Sequence, residues 1–186
     1  MSGHPWLVCG VAGDRLEMEE RALLEELQPG GVILFPRNLV SPQQVQELTS
    51  ELHQLPGNPY VAVDLEGGRV NRLRSLVGAL PSPQELAPHG PEAARQLGEV
   101  CGALCAALGV DLNWAPVVDV AGAGSYLGGE GRCWGDNPEA VVTLAGAFLT
   151  GLEAFGVRGC LKHFPGLGSG EVDSHEQLPQ LAETVV

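Results

Sequence analysis

The sequence predicts an α/β fold on a parallel sheet and, within that class, an incomplete (β/α)8 barrel. Short apolar runs alternate with amphipathic segments, and no hairpin signal joins neighbouring runs. Polar side chains end one strand after another. In a barrel such ends meet around one pocket, whereas in an open sheet only those near the switch point converge. Finally, 186 residues hold five such units, where a full barrel takes roughly 250 residues.

The elements follow in order. Residues 7–11 read as a first strand and 17–27 as a helix, with Gly30-Gly31 as the break. Val32-Ile33-Leu34-Phe35 is the second strand. Ser41-Pro42-Gln43-Gln44 supplies an N-cap, a proline at the first helical position and a glutamine at N3, opening a helix to about residue 52. Residues 60–63 form a third strand, and 91–108 a long helix closed by Gly109. A fourth strand spans 110–114, a helix 138–155 and a fifth strand 157–161. The polar ends are Arg37 and Asn38, then Asp64 and Glu66, then Asn113 and Asp119, then Lys162 and His163.

Composition narrows the function classes. With 44% apolar and 18% charged residues the chain can bury a core. Ten basic against 23 acidic side chains leave a formal charge of −13, which repels phosphate backbones and anionic lipid, so neither nucleic acid nor membrane is expected as a partner. The start lacks the basic and apolar regions of a secretory signal, and a cytoplasmic protein is the expectation. Five cysteines without a CxxC pair support neither a zinc ribbon nor a disulfide framework; Cys101 and Cys105, four apart, read as small buried hydrophobes.

Three segments carry chemistry. In residues 61–72 a buried strand delivers Asp64 to its end, followed by Gly67-Gly68, Arg69 and Arg72. A carboxylate that accepts beside a guanidinium that donates can grip vicinal hydroxyls, or can merely shape a turn. A phosphate loop is the weaker reading, because Asp64 and Glu66 would repel the ligand. In residues 161–168 Lys162, the single lysine of the chain, stands beside His163 at the end of an apolar strand. Both can donate to sugar or carboxylate oxygens, and Lys162 can equally neutralise a buried acid. In the glycine-rich loop after Gly168-Ser169-Gly170, Asp173 and His175 are two apart. The carboxylate would fix the imidazole tautomer and leave the other nitrogen to shuttle a proton. A metal site from His163, Asp173 and His175 lacks paired-histidine spacing, so no metal or other cofactor is expected.

Together the stretches GGVILFPRN (30–38), VAVDLEGGRVNRL (61–73), NWAPVVDV (113–120), GRCWGDNP (131–138) and KHFPGLGSGEVDSHEQLP (162–179) resemble glycoside hydrolase family 3, in particular its bacterial β-N-acetylglucosaminidases. The resemblance implies that residues 1–186 are the amino-terminal part of one TIM-like barrel domain. It also implies retaining hydrolysis of terminal β-linked N-acetylglucosamine, as in muropeptide recycling. By the same resemblance Asp64, Arg72, Arg132, Lys162 and His163 bind the sugar, His175 is the acid/base and Asp173 orients it. Retaining glycosidases usually employ two carboxylates; here an Asp–His dyad takes the acid/base half. By the same resemblance the aspartate nucleophile is expected on a later strand, after Val186.

Two departures are visible. The family's KHFPGHG reads KHFPGLG, with Leu167 for histidine, which removes a donor near the loop hinge. No nucleophile candidate follows His175, since Glu176 and Glu183 are misplaced. The 186 residues alone are therefore expected to be inactive by the retaining route. A sugar-binding remnant, and phosphorolysis through an acid/base that does not repel phosphate, remain as alternatives. Five parallel strands also leave two open edges, which predict self-association.

Overall fold

The computed structural model describes residues 3–167 and 170–179. Gly168 and Ser169 of the expected hinge, and Glu183, lie outside the described residues. The elements are β1 (His4–Gly10), α1 (Met18–Leu27), β2 (Pro29–Leu34), α2 (Pro42–His53), β3 (Tyr60–Val63), β4 (Leu65–Gly67), β5 (Val70–Asn71), α3 (Arg74–Val77), α4 (Pro83–Leu86), α5 (Gly90–Ala107), β6 (Leu112–Asn113), α6 (Tyr126–Gly129), α7 (Pro138–Glu153) and β7 (Arg158–Gly159). Five strands form one parallel sheet in the order β1-β2-β3-β6-β7. The order follows the chain with no point of reversal. A doubly wound sheet would reverse, so the sheet is wound as a TIM-type barrel is.

The central strands are apolar on both faces, as a parallel sheet under helices requires. Val32, Leu34, Val61 and Val63 are completely buried and share one core with Leu48 and Leu52 of α2, Leu97 and Cys101 of α5, and Phe148 and Leu152 of α7. Burial pushes the Cys101 thiol far up and holds Cys105 at about 12, so both are inert apolar fillers. The expected cap of α2 is present: Ser41 accepts from the Gln44 N–H at 3.2 Å. Asn137 does the same for α7, accepting from Ala140 at 2.9 Å.

Two helices cross without side chains between them. A Cβ on Gly98 of α5 would stand 2.0 Å from the Phe148 carbonyl oxygen, and one on Gly151 of α7 would stand 2.0 Å from that of Arg95. The backbones of α5 and α7 therefore touch, and only glycine permits it at either position.

Three expectations are corrected. Gly30-Gly31 does not break the chain. The break is Gln28, in the left-handed region at φ 46°, whose N–H closes onto Leu24 O. The glycines run inside β2 because a Cβ at Gly30 would lie 1.9 Å from Pro5 O, and one at Gly31 would strike the Tyr60 ring at 2.4 Å. Second, a hairpin is present, since β4 and β5 pair antiparallel through Gly67 and Gly68, both at positive φ. These glycines admit the chain's own segment, with Gly68 N–H donating to Leu80 O at 3.0 Å. Third, the fourth and fifth strands shrink to two residues each. Asp111 N–H to Val61 O and Trp114 N–H to Val63 O, 2.9 and 2.8 Å, extend the fourth, and a Val117–Lys162 bridge continues the fifth.

Candidate active site

A cavity of about 400 Å³ opens at the carboxyl ends of the strands. All the sequence-predicted residues reach it: Asp64, Arg72, Arg132, Lys162, His163, Asp173 and His175. Ile33, Phe35 and Trp114 supply apolar wall, so the cavity has the mixed lining a sugar needs. The polar end of β2 stays out of it. Asn38 is buried and ties the loop after β1 by donating to Val11 O and Gly13 O at 3.1 and 2.6 Å, and Arg37 also donates to Val11 O.

The floor is built by the turn after β3. Asn113, fully buried, accepts from Leu65 N–H at 2.9 Å and donates to Leu65 O at 2.8 Å. That fixes the path by which the chain leaves Asp64 and sends Glu66 inward. Glu66, its side chain 1% exposed, was expected as a polar strand end but not among the site residues. It takes Arg132 in a two-point fork, Nε to Oε2 at 2.9 Å and Nη2 to Oε1 at 2.8 Å. It also takes Lys162 Nζ at 2.5 Å.

Lys162 bridges Glu66 and Asp64, whose Oδ1 lies 2.6 Å from Nζ. Arg72 stands farther off, Nε to Asp64 Oδ2 at 3.8 Å. Two buried acids thus face three cations at the cavity wall, Arg132 and Lys162 at hydrogen-bond distance and Arg72 with its Nε left without a hydrogen-bond partner among the described residues. Burial alone would lower the Arg132 guanidinium, but the Glu66 fork outweighs it and leaves it raised. An ammonium carries three N–H groups and a guanidinium five, so each has donors beyond those the acids use. Asp64 adds an acceptor beside them. Fixed donors next to a fixed acceptor match a ring of hydroxyls.

His163 is held by a second carboxylate that sequence reasoning named without a partner. Asp119, with no exposed side-chain surface, accepts from His163 N–H at 2.9 Å, from its Nδ1 at 2.8 Å and from Leu167 N–H at 2.5 Å. Burial pushes the Asp119 carboxyl up, but the bonds from the His163 ring, Leu167 N–H and His163 N–H outweigh it and leave it below its ordinary value. Leu167 itself packs against Val117, Leu127 and Cys133. The side chain that departs from the family pattern is thus a loop anchor through packing.

On the loop, Asp173 Oδ1 lies 2.7 Å from His175 Nδ1 and accepts His175 N–H at 2.9 Å. Those two donors, joined by the Tyr126 hydroxyl at 2.9 Å, lower the Asp173 carboxyl to about 2. His175 is 88% exposed, with Nδ1 engaged and Nε2 left to exchange protons. A hydrogen-bonded Asp173–His175 pair therefore opens on the same cavity as the Asp64–Lys162–Glu66–Arg132 cluster, at the carboxyl ends of the parallel strands. A histidine paired with a carboxylate, beside fixed donors and acceptors, is chemically able to exchange a proton next to a bound polar ligand.

Comparison with known proteins agrees. The family model described as "Glycosyl hydrolase family 3 N terminal domain" matches residues 6–184, and the chain belongs to that family. It is 44% identical over 182 residues to a beta-hexosaminidase of Alkalilimnicola ehrlichii, covering 94% of this chain and 52% of that protein. Against a beta-hexosaminidase of Pseudomonas aeruginosa the identity is 39% over 183 residues, covering 96% and 54%. The fold is similar to the crystal structure of NagZ from Neisseria gonorrhoeae in complex with N-trifluoroacetyl-D-glucosamine. There the TM-score is 0.85 and the identity 36%, covering 96% of this chain and 55% of that one. A glycoside hydrolase family 3 beta-N-acetylglucosaminidase from Paenibacillus also scores 0.85 at 34% identity, covering 92% and 34%. The chain spans about half the length of the curated relatives it matches.

Proposed function

We propose that the chain is the amino-terminal part of a barrel enzyme that removes terminal β-linked N-acetylglucosamine with retention. The supporting observation is that His175, backed by Asp173, lines the same cavity as the Asp64–Lys162–Glu66–Arg132 cluster. Asp64, Arg72, Arg132, Lys162 and His163 hold the sugar hydroxyls. His175 gives its Nε2 proton to the glycosidic oxygen as the C1–O bond breaks, while a carboxylate attacks C1. In the second step Nε2 takes a proton from water, the water oxygen bonds to C1 and the carboxylate leaves.

The resemblance to the family assigns the attacking carboxylate to sequence outside residues 1–186, and the acids described in and beneath this cavity are engaged elsewhere. Glu66 is forked to Arg132, Asp64 is bonded to Lys162, and Asp173 serves His175. Muropeptides as substrate and a cytoplasmic site of action belong to the same proposal. No helix among the described residues is long and apolar enough to cross a membrane.

Two measurements test this reading. In a protein extended to the length of its relatives, His175→Ala should lower kcat on a chromogenic N-acetyl-β-glucosaminide by about 10²–10⁴-fold; turnover equal to the parent refutes it. Self-association is part of the proposal too, since β1 and β7 are the outer strands of the described sheet. Light scattering on the 186-residue chain should report more than a monomer, and a clean monomer excludes pairing at those edges.

A further inference from the structure

The short helix α6 grips the dyad loop at three points. Tyr126 N–H donates to Gly170 O at 2.8 Å. The Tyr126 hydroxyl donates to Asp173 Oδ2 at 2.9 Å, and its ring packs on the Val117, Leu127 and Cys133 cluster that also receives Leu167. The helix itself is anchored, because Ser125 accepts from Gly128 N–H at 3.2 Å and Leu127 is buried. Six residues on from Tyr126, Arg132 enters the sugar-gripping cluster through Glu66, and Arg132 N–H donates to Leu127 O at 3.1 Å. One stretch, 125–132, therefore joins the loop to the cavity floor.

We propose that Tyr126 is a positioning residue of the dyad: its hydroxyl occupies the outer oxygen of Asp173 and thereby sets how strongly that carboxylate holds a proton on His175. The inference rests on the dyad reading above but concerns a residue that reading leaves out. Asp173 has two oxygens with different work. Oδ1 serves the His175 ring and backbone, whereas Oδ2 takes the phenol. A phenol dipole pointing its hydrogen at the carboxylate offsets part of the negative charge that would otherwise favour imidazolium.

Other charges face the pair and persist when the hydroxyl is removed. On the outer side are Arg69, Glu130, Glu171 and Glu176. On the cavity side are Asp64, Arg72, Arg132, Lys162 and His163. Tyr126→Phe keeps the ring packing and the N–H bond to Gly170, so it isolates the hydroxyl.

The test is the titration of His175 followed by its ring resonances in the 186-residue chain, in the parent, in Tyr126→Phe and in both on an Asp173→Asn background. The midpoint should rise by about 0.3–0.5 pH unit in Tyr126→Phe, and that rise should vanish once Asp173 is asparagine. A midpoint unmoved or lowered, or the same rise without the Asp173 charge, overturns the proposal. Because the readout needs no turnover, a His175 that shifts as expected in a protein with no glycosidase activity would sink the enzymatic reading and leave this coupling standing.

Discussion

Two aspartate–histidine pairs of nearly equal length stand in opposite surroundings. Asp119 meets His163 at 2.8 Å and Asp173 meets His175 at 2.7 Å. In each, the ring Nδ1 and the same histidine's backbone N–H address one carboxylate oxygen. Asp119 has no exposed side-chain surface and His163 is 31% exposed, whereas His175 is 88% exposed. The fixed pair bonds backbone from two places beyond the end of β7, and the free pair hangs from a loop that α6 steadies. Identical local chemistry thus yields an enclosed backbone support in one place and a solvent-facing imidazole in the other, and burial makes the difference.

The largest expected effect separates the two on stability. Asp119→Ala strands two N–H donors and the His163 ring, and should lower unfolding stability by about 2–4 kcal/mol in denaturant titration. Asp173→Asn should lower the melting temperature much less, because His175 is 88% exposed and an asparagine oxygen can still accept. Equal losses in the two variants would erase the distinction.

Next in size is the converse on catalysis. In the extended protein, Asp173→Asn should reduce kcat about 10²-fold with KM little changed, since the imidazole loses its orienting charge while the sugar cluster is intact. A rise confined to KM would move Asp173 from proton transfer to binding.

The smallest effect is in acid. The folded Asp119 carboxyl lies below its unfolded value, so its contribution is complete above about pH 4 and is lost as pH falls through the folded value. Stability measured from pH 5 down to 2 should fall less steeply in Asp119→Asn than in the parent. Parallel curves would mean that other carboxylates govern acid unfolding.

What could be read beforehand follows the range of the interaction. The cap at Ser41 and the helix over 42–53 are local, and residue order alone reveals them. Barrel winding was legible because the polar ends recur strand by strand. Strand lengths were not. An apolar run such as 110–114 marks burial, but the ladder touches only Leu112 and Asn113. Glu66 was visible as a polar strand end, but its place in the cluster was not, because its partners lie 66 residues away at Arg132 and farther still at Lys162, and a hairpin that the sequence did not announce turns it inward. Tyr126 gave no signal, since its use depends on a loop 47 positions later.

The glycine crossing of α5 and α7 has a consequence for the pocket. Where Gly98 and Gly151 bring α5 and α7 main chain to main chain, no side chain stands between them to repack, so the spacing of the two helices is fixed at that point. Adjustment to a substrate then falls to the chain above the strand ends, among it residues 170–175, which Tyr126 tethers.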